Sequence, residues 1–128
     1  MDLISVVDDD ASVRLATVDL LNSVGLACEA HASAEQFLGS TRAADTQCLI
    51  LDINMPGLNG LELQRRLVQS GSTVPIIFIT AYPEERTRAE AFRAGALGYL
   101  PKPYSDEELL DCIRQALARR EEGQEKST

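Results

Sequence analysis

The sequence lacks the features that would indicate a membrane, secreted or zinc-binding protein. No apolar run approaches the roughly 18 residues that a membrane-spanning helix needs. The N-terminus has no basic segment followed by an apolar run, so we expect no signal peptide. The three cysteines share no Cys-x-x-Cys or zinc-ligand spacing, which favours reduced, structural thiols. Together these absences predict a cytoplasmic protein with no membrane partner.

An excess of positive charge and the common nucleotide-binding motifs are also absent. Neither G-x-G-x-x-G nor a P-loop lysine motif occurs. The chain has 12 Lys and Arg against 20 Asp and Glu, a net charge of −8. Because such a domain repels polyphosphate, we expect it to bind no nucleic acid by itself. The only histidine, His31, lacks a carrier-helix pattern around it, and we expect a surface or loop-end residue.

What the sequence does contain is an alternation of short apolar runs with helical patterns. Its 128 residues fit one domain. Five strands are predicted, at Leu3–Val7, Leu26–Ala30, Gln47–Leu51, Pro75–Ile79 and Leu97–Leu100. Alternation of this kind is typical of an α/β fold in which helices cover both faces of a parallel sheet, joined by right-handed crossovers. We therefore predict a (βα)5 domain.

Capping residues and glycines mark the five predicted helices. Asp10 caps the first helix, which Gly25 ends, and Ser33 opens the second with a capping box. The apolar stripe of the first helix is predicted at Val13, Ala16, Thr17, Leu20, Leu21 and Val24. The third helix is predicted over Leu58–Gln69. The fourth should have Pro83 in its first turn. It should stop at Gly95. The last begins after a capping box at Ser105 and Glu108, with a buried stripe of Leu109, Leu110, Ile113 and Leu117.

The last eight residues differ in composition from the rest. Residues 121–128 contain no apolar side chain, so they have little to bury in return for the entropy lost on ordering. We predict a domain over residues 1–120, followed by a disordered tail or the start of an interdomain linker.

Polar residues suited to phosphoryl chemistry stand at the ends of four predicted strands. They are Asp8 and Asp9 after the first strand, Asp52 after the third, Thr80 after the fourth and Lys102 after the fifth. If these strands are parallel neighbours, their carboxyl ends meet in one crevice. Taken singly, each residue has an ordinary structural explanation, such as helix capping or a solvated lysine. Their coincidence at one edge favours a functional site.

Three carboxylates in one crevice require compensating positive charge. Lys102 supplies one charge, which leaves a deficit of about two that a divalent cation would fill. Mg²⁺ is the expected metal because it takes oxygen ligands and retains waters, with Mn²⁺ as an alternative. Asp52 could then attack a phosphoryl group as a carboxylate. The metal, the Lys102 ammonium, the Thr80 hydroxyl and backbone N–H groups would stabilise the charge on its oxygens.

These motifs, in this order, resemble the response-regulator receiver domain of two-component signalling. The similar segments are Val6–Asp10, Leu49–Gly60, Ile77–Ala81 and Gly98–Pro103. The resemblance covers residues 1 to about 120. It implies a CheY-like, flavodoxin-like doubly wound sheet with strand order 2-1-3-4-5.

The resemblance also implies a role for each residue of the crevice. Asp52 would accept the phosphoryl group, and Lys102 would pair with Asp52 before transfer. Mg²⁺ would be bound by Asp9, Asp52 and the carbonyl of Asn54, with Asp8 acting mostly through a coordinated water. The backbone at Asn54 and Ala81 would contact the phosphoryl group. Thr80 and Tyr99 would switch together, and the Lys102–Pro103 peptide is a candidate cis bond.

Partners and output follow from the resemblance as expectations. The phosphoryl donor would be the phosphohistidine of a sensor histidine kinase. The fourth helix, fifth strand and last helix would form the output surface, with Arg86, Arg88 and Arg93 as candidate contacts in a phosphorylation-dependent homodimer. The motifs look like those of transcription regulators that carry a helix-turn-helix DNA-binding domain. The chain would then be a signalling switch that catalyses only its own phosphotransfer and dephosphorylation.

Two alternatives remain at the level of the sequence. The first is a haloacid-dehalogenase-like phosphatase, since Asp52-Ile53-Asn54 approaches the Asp-x-Asp of that class. Against it, the acidic pair precedes the nucleophile, and Asn54 cannot act as an acid or base. The second is a degenerate receiver that only binds a partner, although none of the expected pocket residues is missing.

Overall fold

Five parallel strands form the centre of the structure, a computed structural model that describes the backbone of residues 2–127 and the side chains of residues 2–119. The strands are β1 (Leu3–Val7), β2 (Ala27–His31), β3 (Thr46–Asp52), β4 (Ile76–Thr80) and β5 (Gly98–Pro101). They pair in parallel in the order β2-β1-β3-β4-β5. The predicted fold class and strand order are therefore confirmed.

Helices connect the strands, as predicted. They are α1 (Ala11–Ser23), α2 (Ala34–Leu38), α3 (Gly60–Gln69), α4 (Glu85–Arg93) and α5 (Asp106–Ser127), with a 3-10 helix at Ala43–Asp45. The Asp10 carboxylate accepts the Ser12 and Val13 N–H groups at the start of α1, as the sequence predicted. Within residues 2–127, none of the helices has the length and apolar composition needed to cross a bilayer.

The two faces of the sheet carry separate apolar layers. One layer contains Leu49, Leu51 and Phe78 and is covered by α2, α3 and α4. The other contains Ile50 and Ile77 and is covered by α1 and α5. Because successive residues of β3 point to opposite faces, the central strands are buried on both sides, which explains their near-continuous apolar sequences.

The buried stripe of the last helix agrees with the sequence, whereas that of the first helix is narrower than predicted. Leu109 and Ile113 are buried on α5, and Leu110 and Leu117 pack partly against the same layer. On α1, Thr17 and Leu21 are buried. Two members of the predicted α1 stripe, Ala16 and Val24, are exposed.

Most boundaries differ slightly from the predicted ones. Four strands, β2 to β5, end one residue later than predicted because ladder pairing continues past the last apolar side chain, as in Asp52 opposite Ile79 and Thr80 opposite Pro101. Helix α3 begins at Gly60, not Leu58, because Asn59 is its N-cap. Pro83 precedes α4 instead of lying in its first turn. The cap residue Glu84 is extended, and its N–H donates to the Tyr99 hydroxyl at 3.2 Å.

Helix α5 spans Asp106–Ser127. The predicted domain boundary at residue 120, with a disordered tail or the start of an interdomain linker after it, stays a prediction.

His31 is less exposed than the surface position expected for it. Its side chain retains 11% of its accessible surface, and Nε2 lies 3.0 Å from Glu29 Oε1. The imidazole also packs edge-on against the Phe37 ring, with 5.8 Å between ring centres. The residue therefore joins β2 to α2.

Candidate functional site

The carboxyl edge of the sheet gathers the three predicted carboxylates. Asp8 directly follows β1 and is fully buried, Asp9 is exposed beside it, and Asp52 is the last residue of β3, 3% exposed. One oxygen from each carboxylate lies within 4.8 Å of the others. The strand order brings them together because β1 and β3 are adjacent at the centre of the sheet. An acidic cluster therefore exists where the sequence predicted it.

Lys102 lies between two of these carboxylates. Its ammonium Nζ is 2.9 Å from Asp8 Oδ2 and 3.4 Å from Asp52 Oδ2. The Lys102 backbone N–H donates to the Thr80 carbonyl at 2.7 Å, which fixes the lysine beside β4. Burial alone would lower the pKa of the ammonium, but contact with Asp8 and Asp52 outweighs burial and raises it. Lys102 contacts Asp52 as predicted, but it lies closer to Asp8.

The Asp52 carboxyl has a strongly perturbed acidity. Burial, followed by repulsion from Asp8, raises its pKa from 3.8 to about 7. The Lys102 charge and the Asn54 N–H, which donates to Asp52 Oδ1 at 3.1 Å, oppose this rise only in part. The site without a metal ion is therefore short of positive charge, as the sequence-based charge count predicted.

The Thr80 hydroxyl forms hydrogen bonds with the two loops that follow β3 and β4. This buried hydroxyl donates to the Asn54 side-chain oxygen at 2.7 Å and accepts the Tyr82 N–H at 3.0 Å. Ala81, the other predicted backbone contact, immediately follows Thr80 at the same edge. The predicted hydroxyl is thus in the site, but it is occupied by hydrogen bonds to protein groups.

Tyr99 contacts the start of α4 instead of the acidic cluster. Its hydroxyl forms a 3.0 Å hydrogen bond with the Thr87 hydroxyl and accepts the Glu84 N–H at 3.2 Å. The tyrosine lies on β5, opposite Phe78 of β4 and two residues before Pro101, the ladder partner of Thr80. Tyr99 therefore connects the strand next to Thr80 with the start of α4. The Lys102–Pro103 peptide is cis, as predicted.

The loop after Asp52 approaches the strand very closely at Gly60. A Cβ on Gly60 would lie 2.4 Å from the Asp52 carbonyl oxygen and 2.9 Å from the Ile53 Cα. The Gly60 N–H also donates to the Ile53 carbonyl at 3.0 Å. Only glycine allows this return of the chain, so the loop that carries Asn54 folds tightly over the end of β3.

Two contacts to the site were not predicted from the sequence. Arg14 Nη1 donates to the Asp8 carbonyl at 2.6 Å. Its position one helical turn after the Asp10 cap could have suggested this contact. Glu35 Oε2 accepts the Leu58 N–H at 3.1 Å. No local signal could have revealed it, because the two residues are 23 positions apart.

The donor set fits a hard divalent cation. Carboxylate oxygens converge from Asp8, Asp9 and Asp52, and all are the ligand type that Mg²⁺ prefers. Asp8 Oδ2 is buried, and the Lys102 ammonium, 2.9 Å away, is the cation beside it. One ammonium cannot neutralise three carboxylates, so the cluster is suited to an additional cation.

Comparison with known proteins agrees with this geometry. The family model for the response regulator receiver domain matches residues 4–114. Nodulation protein W of Bradyrhizobium diazoefficiens is 41% identical over 117 residues, which cover 91% of this chain and 52% of that protein. The chain belongs to the response regulator receiver domain family.

Further relatives include transcriptional regulators. The transcriptional regulatory protein TdiR of Thauera aromatica is 42% identical over 113 residues, covering 88% of this receiver and 50% of TdiR. The solved structure of the response regulator StyR superposes with a TM-score of 0.87 at 40% identity, covering 98% of this receiver and 65% of that chain. The receiver therefore spans about half the length of the curated relatives it matches. These findings support the receiver interpretation and not the haloacid-dehalogenase-like alternative.

Proposed function

We propose that Asp52 accepts a phosphoryl group from the phosphohistidine of a sensor histidine kinase. The single observation that carries this proposal is the position of Asp52, buried at the end of the central strand with Asp8, Asp9 and Lys102 around it. Such a carboxylate can act as a nucleophile once a proton no longer occupies it. The reaction breaks the phosphorus–nitrogen bond of the donor and forms an acyl phosphate on Asp52.

The other groups of the site would support this transfer. Asp8, Asp9, Asp52 and the Asn54 carbonyl would hold Mg²⁺, or Mn²⁺ in its place, and the bound ion would neutralise charge on the phosphoryl oxygens. Lys102 would move from its carboxylate partners to a phosphoryl oxygen. The backbone N–H groups at Asn54 and Ala81 would donate to the remaining oxygens.

Switching would begin with the two residues that are held by protein contacts before phosphorylation. The Thr80 hydroxyl would leave Asn54 and turn toward the phosphoryl group. Tyr99 would leave Thr87 and Glu84 and rotate into the vacated space, which changes the surface formed by α4, β5 and α5. The phosphoryl group would make these additional contacts only in the conformation with Thr80 and Tyr99 moved. Phosphorylation would therefore shift the equilibrium between the two conformations toward it.

The output we propose is control of transcription in the cytoplasm. Relatives such as TdiR are named transcriptional regulatory proteins, which supports this output. This receiver matches only about half of their length, so the other half could contain a DNA-binding domain. The acidic receiver itself would bind no DNA, and the altered α4-β5-α5 surface would form a homodimer. Its chemistry would be limited to its own phosphotransfer and dephosphorylation, without turnover of other substrates.

Labelling with a small phosphodonor tests the proposal. Purified protein with Mg²⁺ and acetyl phosphate should gain one phosphoryl group that is stable to acid and labile to base. Asp52→Asn should abolish the labelling because an amide is a poor nucleophile, and Asp19→Asn, on exposed α1 surface, should label normally. Equal labelling of Asp52→Asn and the parent protein would show that the nucleophile is another residue.

A further inference from the structure

Glu35 on α2 contacts the loop that follows Asp52, which we call the catalytic loop. The loop consists of residues 53–59 and joins Asp52 to α3. The Glu35 Oε2 atom accepts the Leu58 N–H of this loop at 3.1 Å. That N–H is the largest cause of a lowered pKa for the Glu35 carboxyl, so the residue is ionised at neutral pH and the hydrogen bond is charge-assisted.

Few other contacts fix the middle of the catalytic loop. At its start, the Asn54 N–H donates to Asp52 Oδ1, and at its end Asn59 and Glu62 form a capping box. Between them, within the described part of the chain, the Glu35 contact is the one hydrogen bond that reaches residues 55–58 from outside the loop. The buried side chain of Met55 and the partly buried side chain of Leu58 anchor this stretch in the apolar layer.

Gly57 shows how closely the loop fits against Glu35. A Cβ on Gly57 would lie 2.6 Å from Glu35 Oε2, well inside contact distance. Gly57 also has a φ of +74°, a conformation that favours glycine. The glycine therefore serves two purposes: it permits the turn, and it leaves space for the carboxylate of α2.

We infer that Glu35 is a positioning residue for the metal site, acting through the Leu58 N–H to hold the catalytic loop in its binding conformation. The inference rests on the proposed function, since the Asn54 carbonyl is there a ligand of Mg²⁺ and the Asn54 N–H a donor to the phosphoryl group. Asn54 lies four residues from Leu58 in the same loop. Groups that orient metal ligands from outside the coordination shell typically alter metal affinity about tenfold or more.

Three variants separate loop positioning from a general weakening of α2. Glu35→Ala removes the acceptor, whereas Glu35→Gln retains an oxygen that can accept the Leu58 N–H. Gln36→Ala is the matched control, because Gln36 is adjacent on the same helix and its Oε1 accepts the Ala32 N–H at 2.9 Å without touching the loop. All three would be compared with the parent for Mg²⁺ affinity by calorimetry and for amide hydrogen exchange of Leu58.

We expect Glu35→Ala to weaken Mg²⁺ binding by about tenfold and to speed exchange of the Leu58 amide before metal is added. Glu35→Gln should restore most of the affinity, and Gln36→Ala should bind Mg²⁺ like the parent. In labelling with acetyl phosphate, Glu35→Ala should need more Mg²⁺ for half-maximal rate but approach the parent rate at saturating Mg²⁺. A purely structural role would lower stability without this dependence on metal concentration.

A double-mutant cycle with Gly57→Ala adds an independent measurement. The strain of a positive φ is the same in both backgrounds, so any difference reports the contact with Glu35. Gly57→Ala should therefore weaken Mg²⁺ binding more in the parent than in Glu35→Ala.

The outcomes separate this inference from the proposed function. Parent-like Mg²⁺ affinity in Glu35→Ala, or an equal loss in Gln36→Ala, would overturn the positioning role while the proposed function stands. A parent protein that binds no Mg²⁺ and labels at no aspartate would overturn the proposed function, and the role of Glu35 with it.

Discussion

The burial of Asp52 predicts that the metal-free protein is destabilised by its own nucleophile. The pKa of Asp52 rises from 3.8 to about 7 on folding. Between those pH values the folded protein keeps a proton that the unfolded chain releases, so the free energy of unfolding falls as pH rises. The penalty is complete above pH 7. Asp52→Asn removes the charge and should stabilise the metal-free protein.

The magnitude follows from the size of the pKa shift. A rise of about three units corresponds to about 4 kcal/mol at 1.36 kcal/mol per unit. This value is already net of the Lys102 charge and the Asn54 N–H, which both oppose the rise in pKa. The buried amide of Asp52→Asn has a desolvation cost of its own, so we expect about half of the full value, ~2 kcal/mol at pH 8, and a smaller gain at pH 5.

Urea unfolding in the presence of EDTA at pH 5, 6.5 and 8 measures this difference. Asp19→Asn, which changes an exposed carboxylate on α1, is the control and should change stability little at any pH. Adding Mg²⁺ should stabilise the parent and reduce the difference in unfolding free energy between it and Asp52→Asn, because the ion binds the folded parent more tightly than it binds the folded variant. A variant less stable than the parent at pH 8, or a gain independent of pH, would refute the argument.

Two further predictions concern the metal and the output surface. Mg²⁺ must displace the proton of Asp52, so its apparent affinity should rise about tenfold from pH 6 to pH 8, as measured by calorimetry. An affinity that is constant over this range would contradict the raised pKa. Arg88 packs 5.0 Å from the centre of the Phe92 ring and lies 3.6 Å from Glu85, on the exposed side of α4. Arg88→Glu should prevent dimer formation of the phosphorylated protein in light scattering, with Arg66→Glu on the exposed side of α3 as a charge-matched comparison outside the proposed interface. Unchanged dimer formation in Arg88→Glu would exclude this arginine from the interface.

The sequence was sufficient for the fold and for the composition of the site because both depend on local patterns. Strands buried on both faces have continuous apolar sequences, as in Ile76–Ile79, and a polar residue stands at the end of β3 and β4 and directly after β1 and β5. Since the strands are parallel, those ends must meet at one edge, and Asp8, Asp52 and Lys102 do so. The roles assigned to these residues in phosphoryl transfer remain predictions.

What the sequence could not supply depends on contacts between distant segments. The hydrogen bond from Glu84 N–H to Tyr99, which keeps Pro83 outside α4, joins residues 15 positions apart. The contact of Glu35 with Leu58 has no periodicity or motif of its own.

The separation of chemistry from surface has a consequence for how such a domain can diversify. Among the residues whose side chains the structure describes, the acidic cluster is built from strand ends and the residues that follow them, whereas the exposed faces of α4 and α5 contribute no side chain to it. The exposed residues of α4 and α5 could therefore be exchanged between homologous proteins to change which partner is bound, while the reactive centre is inherited intact. Substitutions on these helix surfaces would then be sufficient to keep two such signalling pathways in one cell separate.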